Sequence, residues 1–256
     1  MKIKNEKNRN KTANREAVIT GINNSFNSIL QKAVCCMAAL ILAMMISPLN
    51  LSAEEKEISG ADFSQDDWRL ILVNKQHPIP WDYEIKLGTI HNGQRVDERI
   101  VTDLEHMLEA AKEDGIRLLV ISPYRSSEKQ QELFLQKVNR AMRKGESFLS
   151  AYRDTAQAVT VPGSSEHEIG LAVDITTKEH ITLDEEYADS EGGRWLYENC
   201  SDYGFILRYP EGSEEITGIE FEPWHFRYVG KEAAKYLMEN KLTLEQLWDE
   251  MRQANE

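Results

Sequence analysis

The sequence predicts an α+β fold, a compact single domain in which helices pack on a small antiparallel sheet. Apolar residues recur at helical spacing in several segments, and short apolar runs of strand length occur between them. The predicted helices come first along the chain, and most of the predicted strands follow. We expect this domain to span residues 68–256.

The first half of the predicted domain contains three helices. The first has its apolar residues between Ile100 and Ala111 and ends at Gly115. A short strand follows at residues 118–121, and Ser126 or Ser127 caps the second helix. The third helix follows Ser147. On the second helix, four apolar residues share one side: Leu133, Phe134, Val138 and Met142. Ahead of these helices, residues 68–73 are predicted as a strand or an extended packed segment.

The second half is predicted to supply most of the sheet. Residues 171–176, residues 205–209 and part of residues 220–229 are predicted as strands. A helix over residues 194–202 ends at Tyr203-Gly204. Two closing helices follow at residues 230–240 and 243–251, and the second has Thr243 and Gln246 at capping-box spacing.

Residues 1–53 have the composition of an export segment. They contain seven Lys and Arg against two Glu, then an apolar run from Ala33 to Ile46, and they end in small residues at Ala53. The run is shorter than the ~20 residues of a membrane-spanning helix. Two outcomes therefore stay open, a signal peptide cleaved after Ala53 and an uncleaved membrane anchor. The polar, acidic residues 54–67 are predicted as a linker.

The rest of the chain is strongly acidic. The protein has 30 Lys and Arg against 43 Asp and Glu, so residues 54–256 carry a net charge of −18 once the N-terminal segment is removed. This charge argues against nucleic acid as a partner and against tight binding to anionic lipid. Membrane association is then expected only through the N-terminal segment. Cys200 is the one cysteine left in this part, so no internal disulfide forms.

Two histidines and two carboxylates carry the predicted chemistry. His167 and Asp174 lie in Ser-Glu-His-Glu-Ile-Gly-Leu-Ala-Val-Asp at 165–174, and Glu222 and His225 lie in Glu-Pro-Trp-His. Catalytic zinc sites use three protein ligands and leave a position for water. We predict that His167, Asp174 and His225 bind one Zn²⁺ per chain, with Glu222 as the general base. The combination indicates metal-assisted hydrolysis, although each residue alone is weak evidence.

Three motifs in this order resemble the VanY-type D-alanyl-D-alanine carboxypeptidases. They are Ser-Pro-Tyr-Arg-Ser-Ser-Glu-Lys-Gln at 122–130, the segment at 165–174, and Ile-Thr-Gly at 216–218 leading to Glu-Pro-Trp-His-Phe-Arg-Tyr-Val-Gly at 222–230. Related bacterial LD-carboxypeptidases share these motifs. The resemblance extends from about residue 74 to residue 247. It implies a compact α+β zinc peptidase that removes a C-terminal D-alanine from peptidoglycan stem peptides.

The resemblance also implies roles for further residues. Arg125 and Gln130 match positions that hold the substrate, and Ser165 matches a polar position that contacts the peptide. A planar guanidinium can recognise a chain end or polarise the scissile carbonyl, so Arg125 is predicted to be catalytic as well. The alternative for Arg125 is a structural ion pair. Pro123 stands where the family more often has Gly.

The predicted function is therefore that of an exported zinc D,D-carboxypeptidase. We expect it to act as a monomer on peptidoglycan stem peptides, at the outer face of the cytoplasmic membrane or in the cell wall of a bacterium. Two alternatives stay open. One is an L,D-carboxypeptidase that acts on tetrapeptide stems, and the other is a non-catalytic wall-binding module with structural zinc. Glu222 argues against the module, since a structural zinc site needs no base.

Overall fold

A computed structural model describes residues 58–254 of the protein. Its central sheet contains β3 (Leu118–Ser122), β4 (Ala172–Thr177), β5 (Phe205–Leu207) and β6 (His225–Tyr228). The strand order is β3–β4–β6–β5, and every neighbouring pair is antiparallel. Two shorter strands, β1 (Leu87–Thr89) and β2 (Arg95–Asp97), form a separate antiparallel hairpin.

Helices surround this sheet, which confirms the predicted α+β class. In chain order they are α1 (Val101–Glu113), α2 (Ser127–Arg143), α3 (Phe148–Ala158), α4 (Glu191–Asn199), the single turn α5 (Glu214–Thr217), α6 (Lys231–Asn240) and α7 (Leu244–Ala254). Several local predictions are confirmed. The Ser126 side chain accepts a hydrogen bond from the Lys129 backbone N–H at 3.3 Å. The predicted capping box is present, since the Thr243 N–H donates to Gln246 Oε1 at 2.8 Å and Gln246 N–H donates to Thr243 Oγ1 at 3.3 Å.

The middle of the sheet is buried on both faces. Every residue of β4 and of β6 is buried. The larger apolar core packs α1 against these strands and includes Leu104, Met107, Val173 and Phe226. Because burial holds both strands in one register, side chains that project from them are positioned with little freedom.

Two details differ from the sequence prediction. Of the two alternatives for residues 68–73, the strand is wrong: Trp68–Leu70 is a 3₁₀ turn, and the extended packed segment is present only after it, where Leu72 is buried. Met142 is 40% exposed rather than part of the apolar side of α2. Ala141 packs against the α2–α3 core instead, and the next residue on a helix is rotated by about 100°.

The β1–β2 hairpin was not predicted, although its turn contains a recognisable signal. Asn92-Gly93 lies between the strands, and Gly93 has a φ of 85°, which favours glycine. Residues 1–53, the predicted signal peptide or anchor, lie outside the described residues, as does the start of the predicted linker. Within the linker, the ring of Phe63 lies 5.5 Å from that of Tyr236. The described helices are all too short or too polar to cross a membrane.

Candidate active site

His167 lies on a short 3₁₀ turn, Glu166–Ile169, just before β4. Gly170 ends this turn with a φ of 68°, and a Cβ there would lie 2.7 Å from the Asp97 nitrogen, so the tight path needs glycine. His167 Nδ1 lies 3.0 Å from the Pro123 carbonyl oxygen. Since a carbonyl can only accept, Nδ1 carries the proton and Nε2 is left free to bind a metal.

Asp174 and His225 face each other across the centre of the sheet. They are register partners on β4 and β6. Asp174 Oδ1 lies 3.1 Å from His225 Nδ1 and 3.3 Å from His167 Nε2. One ligand atom from each of the three residues lies within 4.8 Å of the others, and all three residues are buried. The structure thus brings the three predicted zinc ligands together.

The charges of this cluster perturb one another. Burial lowers the pKa of His167 to about 4, with help from the nearby Arg125 cation. Burial also opposes protonation of His225, but the carboxylates of Asp174 and Glu166 outweigh it and raise the pKa of His225 to about 9. Burial acts against ionisation of Asp174, yet the two imidazoles hold its pKa well below the usual range. A concentration of this kind is typical of functional sites.

Glu222 lies beside this group at the start of the turn into β6. Its backbone N–H donates to the Tyr209 carbonyl at 3.2 Å, and its carbonyl accepts from the His225 N–H at 3.0 Å. These bonds hold Glu222 Oε2 3.6 Å from His225 Nδ1. Burial raises the pKa of Glu222 to about 7. The predicted base is therefore adjacent to the predicted ligands.

Arg125 is held by three side chains. Its Nε donates to Ser122 Oγ at 2.8 Å, one terminal nitrogen donates to Gln130 Oε1 at 3.2 Å, and the other donates to Asp174 Oδ2 at 2.8 Å. The two carboxylate oxygens of Asp174 therefore have different partners: Oδ2 faces the guanidinium and Oδ1 faces the imidazoles. The ion pair that was the alternative role for Arg125 does exist, but it ties Arg125 to the site itself.

Gln130 and Ser165 are buried, the first against Arg125 and the second at the start of the turn that carries His167. Gln130 is fully buried, and its amide nitrogen donates to the Thr160 carbonyl at 2.7 Å while its oxygen accepts from Arg125. Ser165 is 1% exposed, and its N–H faces Glu168 Oε1 at 3.3 Å. Both residues position the turn or the guanidinium in this structure, and their contact with substrate stays a prediction.

A cavity of about 220 Å³ opens over the cluster. Its lining includes His167, Asp174, His225, Glu222 and Arg125. Lys137, Tyr209 and Trp224 complete its polar and aromatic wall. The cavity gives a small molecule or a chain end access to the three candidate ligands and to the base.

Glu166 lies behind His225 in the fold, although its role was not predicted from the sequence. Its carboxylate is fully buried and accepts from Arg208 Nε at 2.8 Å and from an Arg227 terminal nitrogen at 2.7 Å. Its other oxygen lies 3.5 Å from His225 Nε2, and neither atom has another hydrogen bond within residues 58–254. Burial opposes ionisation of Glu166, but the two guanidiniums hold its pKa far below the usual range. Its position beside His167 was the only sequence signal.

The donor set fits zinc. Zinc accepts both imidazole nitrogens and carboxylate oxygens, and three protein ligands leave one position of its tetrahedral coordination open. Behind the ligands, the Pro123 carbonyl accepts from His167 Nδ1 and the Glu166 carboxylate lies 3.5 Å from His225 Nε2, an arrangement that orients histidine ligands in metal sites. His167 Nε2 and His225 Nδ1 both point to the same space near Asp174 Oδ1.

Comparison with known proteins agrees with this geometry. A family model described as VanY, D-alanyl-D-alanine carboxypeptidase, matches residues 93–231. A D-alanyl-D-alanine carboxypeptidase of Enterococcus faecalis is 45% identical over 196 residues, which cover 75% of this chain and 71% of that protein. The chain belongs to the VanY family. The three motifs at residues 122–130, 165–174 and 216–230 lie within the matched region.

Two solved structures have a similar fold, and they represent the D,D and the L,D alternatives. A vancomycin resistance D,D-pentapeptidase VanY variant, in complex with Zn(II), has a TM-score of 0.65 at 44% identity and covers 71% of this chain and 99% of its own. An LdcB LD-carboxypeptidase has a TM-score of 0.59 at 37% identity and covers 70% of this chain and 85% of its own. Both relatives share the fold, and the first is the more similar of the two.

Proposed function

We propose that this protein is a zinc D,D-carboxypeptidase that releases the C-terminal D-alanine of peptidoglycan stem peptides. The observation that carries the proposal is the placement of Glu222 beside His167, Asp174 and His225 in one accessible cavity. His167 Nε2, His225 Nδ1 and Asp174 Oδ1 would hold the metal. Zinc in such a site acts as a Lewis acid that makes water a nucleophile at neutral pH.

The remaining work falls to residues of the chain. Glu222 accepts the proton of the attacking water and delivers it to the nitrogen of the leaving D-alanine, because its carboxylate lies beside the metal ligands and faces the cavity. Arg125 lies on the opposite side of Asp174 and lines the same cavity. Its positive charge stabilises the oxyanion that develops on the scissile carbonyl. The hydrogen bonds that Arg125 donates to Ser122 Oγ and Gln130 Oε1 keep that charge in place.

Glu222→Gln tests this mechanism. The substitution is nearly isosteric and cannot accept a proton, so we expect kcat for D-alanine release to fall by ~10²–10⁴-fold. Zinc content and melting temperature should stay close to those of the wild type, because Glu222 is not among the three ligands. Glu215→Gln is the matched control, since Glu215 is an exposed carboxylate on α5. Wild-type kcat in Glu222→Gln would assign the base to another group.

The L,D alternative has a specific observation in its favour, the 37% identity to the LdcB LD-carboxypeptidase. We favour D,D specificity because the VanY relatives are more similar in sequence and in structure. Purified stem peptides ending in D-Ala-D-Ala and tetrapeptide stems ending in a single D-Ala separate the two activities. A higher kcat/KM for the tetrapeptide would overturn the D,D assignment. The binding-module alternative finds no support, because Glu222 lies where a base is needed.

Access to peptidoglycan requires export. We propose that residues 1–53 direct the domain across the cytoplasmic membrane, by cleavage after Ala53 or by retention as an anchor. N-terminal sequencing and cell fractionation distinguish the two, since cleavage leaves Glu54 as the first residue. A full-length chain that is soluble in the cytoplasm would contradict both. The linker at 54–67, the domain at 68–256 and the monomeric state stay predictions.

A further inference from the structure

The active-site cavity continues into a larger groove between α2 and α3. The groove has a volume of about 600 Å³, against about 220 Å³ for the cavity itself. Arg125, Lys137, Ala158 and Val159 line both spaces. A peptide chain whose end lies in the cavity therefore has a continuous path into the groove.

Three cations form a stripe along this groove, two on α2 and the third at Lys144, directly after the last residue of the helix. Lys137 stands at its entrance from the cavity, and Arg140 and Lys144 follow at spacings of three and four residues, which place side chains on one helical face. All three are exposed. None makes a side-chain ion pair or hydrogen bond with another residue in the range 58–254, whereas Lys129 at the start of the same helix pairs with Glu132 at 2.9 Å.

Acidic residues on the groove wall do not neutralise this stripe by contact. Glu146, Asp154 and Glu220 also line the groove. Asp154 lies 3.5 Å from Arg153 Nε and accepts a hydrogen bond from Ser150 Oγ at 3.3 Å, so its charge is directed away. Unpaired cations next to an active site stand out in a chain whose residues 54–256 carry a net charge of −18. They are available to a negatively charged ligand.

The length of the groove identifies which part of the substrate it fits. A carboxypeptidase that releases a single residue needs only a small space for the leaving group, while the acyl side carries the rest of the peptide. At about 1.5 Å rise per residue, the seven helical steps from Lys137 to Lys144 span roughly 10 Å. An extended peptide covers that distance in about three residues.

We propose that this groove binds the acyl part of the substrate and selects peptides with a free carboxylate two or three residues before the scissile bond. The inference rests on the proposed carboxypeptidase function and adds the substrate class to it. Lys137, Arg140 and Lys144 bind that carboxylate as exposed cations, so the contribution is modest and depends on ionic strength.

Two peptides ending in D-Ala-D-Ala test the proposal. They are identical except that the third residue before the scissile bond is Glu in one and Gln in the other. We expect the wild type to prefer the Glu peptide by about three- to tenfold in kcat/KM, chiefly through KM. Arg140→Gln combined with Lys144→Gln should bring this ratio close to one, chiefly by raising KM for the Glu peptide. Addition of 0.5 M NaCl should reduce the wild-type ratio in the same direction.

Arg143→Gln is the matched control, because Arg143 is an exposed cation of α2 that does not line the groove. It should keep the wild-type preference. An equal preference in the wild type and the double variant, with D-alanine release intact, would overturn the groove assignment alone. The same holds for a wild type that shows no preference. Failure of the zinc-loaded wild type to release D-alanine from either peptide would overturn the proposed function together with this inference.

Discussion

Replacement of Glu166 by Gln should weaken zinc binding although Glu166 is not a ligand. Its carboxylate faces His225 Nε2 at 3.5 Å and accepts from two buried guanidiniums, Arg208 and Arg227. A carboxylate in this position orients the imidazole and raises its basicity as a ligand. Gln keeps the size of the side chain and removes the charge, so the position of His225 is no longer set by a negative group.

The contacts around Glu166 set the expected loss of stability and of zinc affinity. Loss of one partner from a buried ion pair costs about 3–5 kcal/mol. The cost in Glu166→Gln should be near the lower end, because Arg208 keeps Glu245 at 2.7 Å and Arg227 keeps three carbonyl contacts, to Tyr228, Arg69 and Ile71. Loss of a group that orients a metal ligand typically lowers metal affinity or activity ~10–100-fold. We therefore expect both a lower melting temperature and a weaker zinc Kd.

The assay separates these two effects with a control on the same turn. Glu168→Gln makes the same chemical change at another buried carboxylate, which accepts from Ser127 Oγ at 2.6 Å and from the Gly163 N–H at 2.9 Å. Zinc Kd is measured by chelator competition and stability by thermal melting. Only Glu166→Gln should weaken zinc binding by tenfold or more. If both variants lose stability and neither changes the zinc Kd, the positioning role of Glu166 is refuted.

Three other predictions concern the same domain. Arg125→Lys should lower kcat/KM by about 10–100-fold, because Lys cannot make the three contacts that the guanidinium makes; a change in melting temperature alone would show a purely structural role. Chelation of zinc should abolish D-alanine release and lower the melting temperature, and zinc at 100 times its Kd should restore about 2.7 kcal/mol of stability; zinc-independent melting would contradict this. Burial opposes ionisation of Glu245, but Arg208 holds its pKa below the usual range. Its contribution to stability is therefore present above the unfolded pKa of ~4.3 and is lost as pH falls through the folded value. Glu245→Gln should then melt below the wild type at pH 7, and the gap should narrow below pH 4; a gap that is constant with pH would contradict the linkage.

Local patterns made much of the fold predictable. The helix over residues 101–113, its end at Gly115 and the caps at Ser126 and Thr243 depend on interactions between residues close in sequence. The hairpin at β1 and β2 was missed because each strand is only three residues long, too short for a clear alternation. Met142 was misplaced because helical spacing cannot decide where the contact with a second helix ends.

Local sequence made the candidate ligands and base of this protein predictable, whereas contacts between distant segments support them in the fold. Ligand types and motif spacing are local properties, so His167, Asp174, His225 and Glu222 could be named as candidates before any fold was known. The register that sets Asp174 opposite His225 is a contact across the sheet. The carboxylate of Glu166 reaches His225 and Arg227 through separations of 59 and 61 residues. Such contacts arise from packing of distant segments, which leaves no periodic trace in the sequence, and the basic groove beside the site has the same origin.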